Sequence, residues 1–165
     1  MNDVRLISVD DLKQVTSISA TIETDLLEPY LELSEELYCV EILGEALTSE
    51  LRNQITGNTI TEVNQYLLTK YIKPLVSYGA WEQYVPFNAI KSTQIGEIRQ
   101  TTDNSSSADL PEVTFKRQAL KDKISYYQKR LRDYLDKNKN NYPLYRSSCS
   151  PSTGNSWSIY LGKSN

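Results

Sequence analysis

Apolar residues return every three or four positions through most of this chain, the spacing that lines them along one face of a helix. Ser8, three residues ahead of Asp11, forms a capping box at the start of a short helix over residues 8–17, with Val9, Leu12 and Val15 on its apolar face. A second helix is expected to begin near Asp25, with Pro29 tolerated in its first turn and Leu26, Tyr30, Leu33, Leu37 and Val40 on one face, until Gly44 interrupts it. Residues 45–55 read as a third helix closed by Gly57. A fourth, capped by Thr59 or Thr61, runs through Tyr66, Leu67, Tyr71 and Leu75 towards Tyr84, with a kink expected at Pro74.

After Pro86 the pattern changes. Ile90, Ser92 and Gln94, followed by Ile95, Gly96, Glu97 and Ile98, mix strand-favouring residues with a glycine where the chain can reverse, so residues 88–101 read as a short β-hairpin. Residues 101–109 form a polar, serine-rich linker without the apolar content to order itself. Pro111 then opens the longest helix, to about residue 139, in which Leu120, Ile124, Tyr127, Leu131 and Tyr134 make a seam that needs a partner helix. Residues 141–165 form an extended arm whose end alternates Trp157, Ile159 and Leu161 with Ser158 and Tyr160, as a strand with one apolar face does. The expected fold is mainly α, a helical bundle with one long C-terminal helix, a short β-hairpin and a C-terminal extended arm. Residues 1–140 are read as a single domain.

Composition narrows the chemistry. The 165 residues suffice for one ordinary core, and 12 of the 16 aromatic residues are tyrosine, a ring often used at interfaces. With no histidine, imidazole bases, His-ligated metals and the usual pH switch are unavailable. Cys39 and Cys149 are too few and too far apart for a disulfide framework or a metal site and read as reduced thiols. No apolar run reaches the length of a signal peptide or a membrane span, so the expected compartment is a cytoplasm or a particle assembled there.

The formal charge of −3 conceals a strong polarity, with residues 1–60 at −9, 61–110 at −1, 111–140 at +5 and 141–165 at +2. The two ends can neutralise each other within one molecule, or present complementary surfaces to neighbouring subunits. Asp10–Asp11 and Glu35–Glu36 are adjacent pairs that point about 100° apart on a helix, so they read as solvated faces rather than a catalytic pair. Ser147, Ser148, Cys149 and Ser150 supply nucleophile types without a base, and no glycine-rich phosphate loop is present. In the basic helix, Lys116, Arg117, Lys121, Lys123, Lys129, Arg130 and Arg132 interleave with Tyr126, Tyr127 and Tyr134. Such interleaving can serve nucleic acid, but the acidic chain and the packing seam favour a charged outer face or a subunit contact.

The order of these elements carries a resemblance. ISVDDLKQVTSI followed by TDLLEPYLELSEELYCVEILGEALTSELRNQI resembles the opening of small head-tail connector proteins of tailed bacteriophages, also called adaptor or head-completion proteins. YLLTKYIKPLVSYGAWEQYVPF, IGEIRQTTDNSSSAD and the tyrosine-rich helix ending DYLDKNKNNYPLY look more particularly like ring proteins of crAss-like phages. The resemblance spans residues 5–145 and rests on element order and local phrasing. It implies a structural virion protein without an active site or cofactor, forming a ring, commonly twelvefold, at the head-tail junction and assembled in the host cytoplasm. Its partners would be the portal protein and tail or further neck proteins, with DNA passing through the lumen without sequence-specific binding. The residues expected to meet such partners are Ile90, Ile95, Ile98 and Arg99 in the hairpin, Lys121 and Arg130 on the long helix, and Trp157, Ile159 and Leu161 in the arm. An accessory nucleic-acid-binding protein using helix 112–139 is the alternative, and a small enzyme the third class.

Overall fold

The structure, a computed structural model, describes residues 4–88, 90–93, 96–99 and 110–146. It is mainly helical. Helix α1 (Val9–Val15) starts on the expected capping box: Ser8 Oγ accepts from the Asp11 amide, and the Asp11 carboxylate accepts from the Ser8 amide. Helix α2 (Thr24–Ser34) continues through a wider i+5 turn (Glu35–Val40) into α3 (Glu41–Leu43), and Gly44 breaks the path at φ +76°, a conformation that glycine adopts without strain. Pro29 is the sixth residue of α2, beyond the first turn. Helix α4 (Glu45–Thr56) ends at Gly57, but the left-handed residue is the next one, Asn58 at φ 49°.

Thr61 caps α5 (Glu62–Leu67), its hydroxyl accepting from the Asn64 amide. The helix then widens over Leu68–Ile72 before α6 (Lys73–Asn88). The widened stretch lies immediately before Pro74, whose missing N–H and ring disturb the ladder at that point. Helix α6 also passes through Pro86 and ends at Asn88, so the strand begins later than expected. Backbone segments β1 (Ile90–Thr93) and β2 (Gly96–Arg99) pair antiparallel, with Ile90 opposite Arg99 and Lys91 opposite Ile98. Ile95 and the linker 101–109 lie outside the described residues.

Helix α6 is the hub, with α1, α2 and α7 (Leu110–Lys137) all packed on it. Different faces of α6 serve different partners. Ser34 of α2 donates to the Val76 carbonyl at 2.8 Å, and Tyr30 meets Tyr84 edge-on. Gly79 admits the close approach, since a Cβ there would overlap Ser34 Oγ and the Tyr38 ring. Residues 78, 81 and 82 of α6 turn instead towards α7. The seam of α7 is buried as the periodicity predicts, with Leu120, Ile124, Leu131 and also Leu135 in the core.

Two expectations need correction. On α2 the buried residues are Leu27, Leu31 and Ser34; of the row read as the core face, Val40 is buried and Tyr30 packs against the core, while Leu26, Leu33 and Leu37 are exposed. Both leucine rows satisfy helical spacing, and only the position of α6 selects between them. The arm also starts later than residue 141. After a 3-10 turn (Lys139–Asn141), Tyr142 and Tyr145 are buried, and Tyr142 Oη donates to the Val63 carbonyl at 3.1 Å. Residues 147–165, with Cys149, Trp157, Ile159 and Leu161, lie outside the described residues.

Candidate interaction surfaces

Three groups of polar or apolar side chains stand out. The first is a ladder along the α6–α7 groove. Lys116, Lys123 and Arg130 recur at seven-residue spacing, which places them on one face of α7 about 10 Å apart. Lys116 Nζ lies 5.0 Å from the Trp81 ring centroid and Lys123 Nζ 4.7 Å from that of Tyr78. The Arg130 guanidinium lies 5.5 Å from both Tyr71 and Tyr126. Tyr78 stacks on Tyr127, and Tyr71 on Tyr134 at 4.4 Å. The rings are therefore roofed by cations of their own chain. A base would have to displace them before stacking, which weighs against a single-strand reading platform.

The second group is two buried carboxylates that anchor helices. Glu82 accepts from both Nε and Nη2 of Arg117, at 2.9 and 2.7 Å, and joins α6 to α7. Glu35, expected on a solvated face, has a side chain 1% exposed; it accepts from the Leu6 amide at 2.8 Å and pairs with Arg52. Burial pushes its carboxyl above the ordinary value, although the bonds from Leu6 and Arg52 act the other way. Cys39 is fully buried, and burial pushes its thiol far up, so it is an inert packing residue. At Asp11 burial alone would raise the carboxyl, but hydrogen bonds from Lys73 and Ser8 outweigh it and hold it low.

A cleft of about 740 Å³ opens between the N-terminal segment and α4–α6, with Arg5, Ser8, Asp11, Gln54, Gln65 and Lys73 among its walls. Among its charged groups, Lys73 pairs with Asp11 and meets Gln14, and Arg5 pairs with Glu28 and Glu32. Among the described residues no group of three or more Cys, Asp or Glu side chains could hold a metal ion, and no helix is long and apolar enough to cross a membrane.

The third group faces outward. On α2 and the following turn, Leu26, Leu33 and Leu37 are 57%, 42% and 46% exposed, and Phe87 at the end of α6 is 63% exposed against the half-buried Tyr30. The exposed residues beside them include Asp25, Glu28, Glu32, Glu36 and Glu41. On α7, Phe115 and Tyr126 are 77% and 56% exposed, with Asp122, Lys129 and Asp133 exposed on the same side of the helix. Of the residues singled out from sequence, Lys121 and Arg130 are both exposed on α7 but, nine residues apart, lie on opposite sides of that helix. Ile90, Ile98 and Arg99 lie in the paired backbone segments, and the remaining four, Ile95, Trp157, Ile159 and Leu161, lie outside the described residues. The leucine stripe was legible as apolar spacing, but not as a surface.

Residues 39–155 match the model of DUF6712, a family of unknown function. The chain belongs to this family. The match begins inside the turn after α2 and covers all of α4 to α7. No curated protein and no solved structure matches this chain.

Proposed function

We propose that this DUF6712 protein is a structural component of a phage particle, one subunit of an oligomeric ring between the portal of the head and the tail. The observation that carries the reading is the outward display of large apolar residues on three separate helices, Leu26, Leu33 and Leu37 on α2 and its continuation, Phe87 on α6, and Phe115 and Tyr126 on α7. A subunit inside a ring needs such faces on more than one side, because it meets a neighbour on each flank as well as proteins above and below. The resemblance of residues 5–145 to connector proteins supplies the context. The short hairpin and the arm with Trp157, Ile159 and Leu161 fit contacts above or below the ring, where a strand can add to a partner's sheet edge. In this reading the protein performs no catalysis, takes no cofactor, and works in the virion.

The test is mass spectrometry of purified particles, with electron microscopy of the purified protein. The expected result is a fixed copy number per particle and ring-shaped assemblies. Particles without the protein would refute the proposal.

A second reading, an accessory protein that binds nucleic acid, is favoured by one feature, the row Lys116, Lys123 and Arg130. Fluorescence anisotropy with duplex DNA across a salt series separates the two. A channel component shows weak, sequence-independent binding that falls as salt rises, whereas strong binding with sequence preference would favour the second reading.

A further inference from the structure

We infer that the row of cations along the α6–α7 groove, Lys116, Lys123, Arg130 and Lys137, is a contact for the phosphate backbone of duplex DNA, made without reading its bases. This rests on the ring reading above and names the face that the subunit turns to DNA. The four residues recur every seven positions on α7 and drift by only about 20° per step, so they form one nearly straight flank roughly 30 Å long. All four are exposed. Glu112 is the one carboxylate of α7 on this flank, with Asp133 at its margin, so the flank is net basic. The remaining exposed side of the helix instead mixes Lys121, Lys129 and Arg132 with Asp122 and Asp136.

Elsewhere Arg5, Arg52, Lys73, Arg117 and Lys139 pair with carboxylates of their own chain, and Arg117 engages the buried Glu82. None of the four row cations has such a partner among the described residues. Three are seated on rings instead, Lys116 on Trp81, Lys123 on Tyr78, and Arg130 beside Tyr71 and Tyr126. A ring face steadies a cation without cancelling its charge, and each ammonium keeps N–H groups directed away from the ring. The charges are therefore held in place before a ligand arrives, which lowers the ordering cost of a contact.

Linear spacing and the want of an apolar anchor select a polymer of phosphates over an acidic protein. A protein partner gains most of its affinity from large side chains buried at the centre of the contact, and here the rings nearest the row are taken up by its cations. Duplex DNA needs no such anchor. It carries about one charge per 1.7 Å of its axis, and each phosphate neutralised releases counterions. The same cations keep bases from stacking on Trp81, Tyr78 and Tyr71, so recognition stops at the backbone.

The experiment is fluorescence anisotropy of the purified full-length chain with labelled duplex and single-stranded DNA of random sequence, over a salt series. It compares wild type with a row variant (Lys116→Gln, Lys123→Gln, Arg130→Gln) and a charge-matched variant off the row (Lys121→Gln, Lys129→Gln, Arg132→Gln). Sedimentation and unfolding midpoints control for assembly and folding. With all four cations on phosphates, wild-type affinity for duplex should fall on the order of a hundredfold between about 50 and 200 mM salt, and that of the row variant only about fourfold. The off-row variant should keep the wild-type slope, and so should Arg130→Lys, because a phosphate accepts either charge. If the row variant fails to fold, Lys123→Gln against Lys121→Gln makes the same comparison, with a slope lower by about one in the former alone. No salt-dependent binding by wild type, or equal losses in the row and off-row variants, would overturn the inference. So would tighter binding to single strands, the mark of bases displacing the cations from the rings, and so would a row variant that loses assembly with its DNA affinity intact. These outcomes concern the row alone: the ring reading stands if the protein is found in particles, and its absence from particles refutes that reading even where the row binds DNA.

Discussion

Glu35 ties the N-terminal segment to the helices through one carboxylate, accepting from the Leu6 amide while pairing with Arg52. Its carboxyl is raised, so the folded protein holds the proton more tightly than the unfolded chain does. The stability linked to this group is then fully present below the ordinary value of 4.5 and drains away as pH rises through the folded-state value. Glu35→Gln should flatten that part of the curve. The check is the urea midpoint measured from pH 4 to 7 in both proteins, because the difference between them cancels other groups such as Asp11, whose lowered carboxyl acts in the opposite sense; equal slopes would show that Glu35 does not titrate there. At Gly79 the argument is steric. A methyl group would overlap Ser34 Oγ and the Tyr38 ring, so Gly79→Ala should lower stability by about 1–3 kcal/mol through separation of α2 from α6, despite the better helix propensity of alanine.

Between elements, the α6–α7 contact combines an apolar seam with one buried charge. Ile124 sits at the middle of the seam, and Ile124→Ala should cost about 2–4 kcal/mol, read as a shift in the denaturant midpoint at unchanged m-value. An unmoved midpoint would remove Ile124 from the core. Glu82 is a different case. Arg117→Met strands its carboxylate in the interior and should be strongly destabilising, by roughly 3 kcal/mol. The double variant Glu82→Gln with Arg117→Met should be less destabilised than Arg117→Met alone, because it leaves no buried charge. Finding the double variant the weaker of the two would mean that the ion pair itself, and not the cost of an unpaired charge, holds the helices together.

For the protein as a unit, the described core is closed by Tyr142 and Tyr145, with Arg146 following them. A chain ending at Arg146 should keep its helical circular dichroism and its unfolding midpoint, since it retains every core residue among those described. Its incorporation into particles should fall if Trp157, Ile159 and Leu161 supply a partner contact. A truncated chain that fails to fold, or that is incorporated normally, would show that the last nineteen residues serve another purpose.

Local rules made much of this fold readable from the chain. Ser8 and Thr61 had to cap helices because their hydroxyls satisfy backbone amides a few residues on, and Gly44 had to break one because its φ of +76° is strained for any other residue. The seam of α7 could be read for a related reason, since a long helix with one apolar row has only one face to bury. Where α2 offered two apolar rows, spacing could not choose between Leu27 with Leu31 and Leu26 with Leu33, and the arrival of α6 at Ser34 made the choice. The burial of Glu35 was invisible for the same reason, because its partners Leu6 and Arg52 are 29 and 17 residues away and nothing in an adjacent glutamate pair signals them. Which charges of the acidic first third and of the basic long helix remain at the surface depends in the same way on what each helix packs against, and that is a property of contacts between residues far apart in the chain.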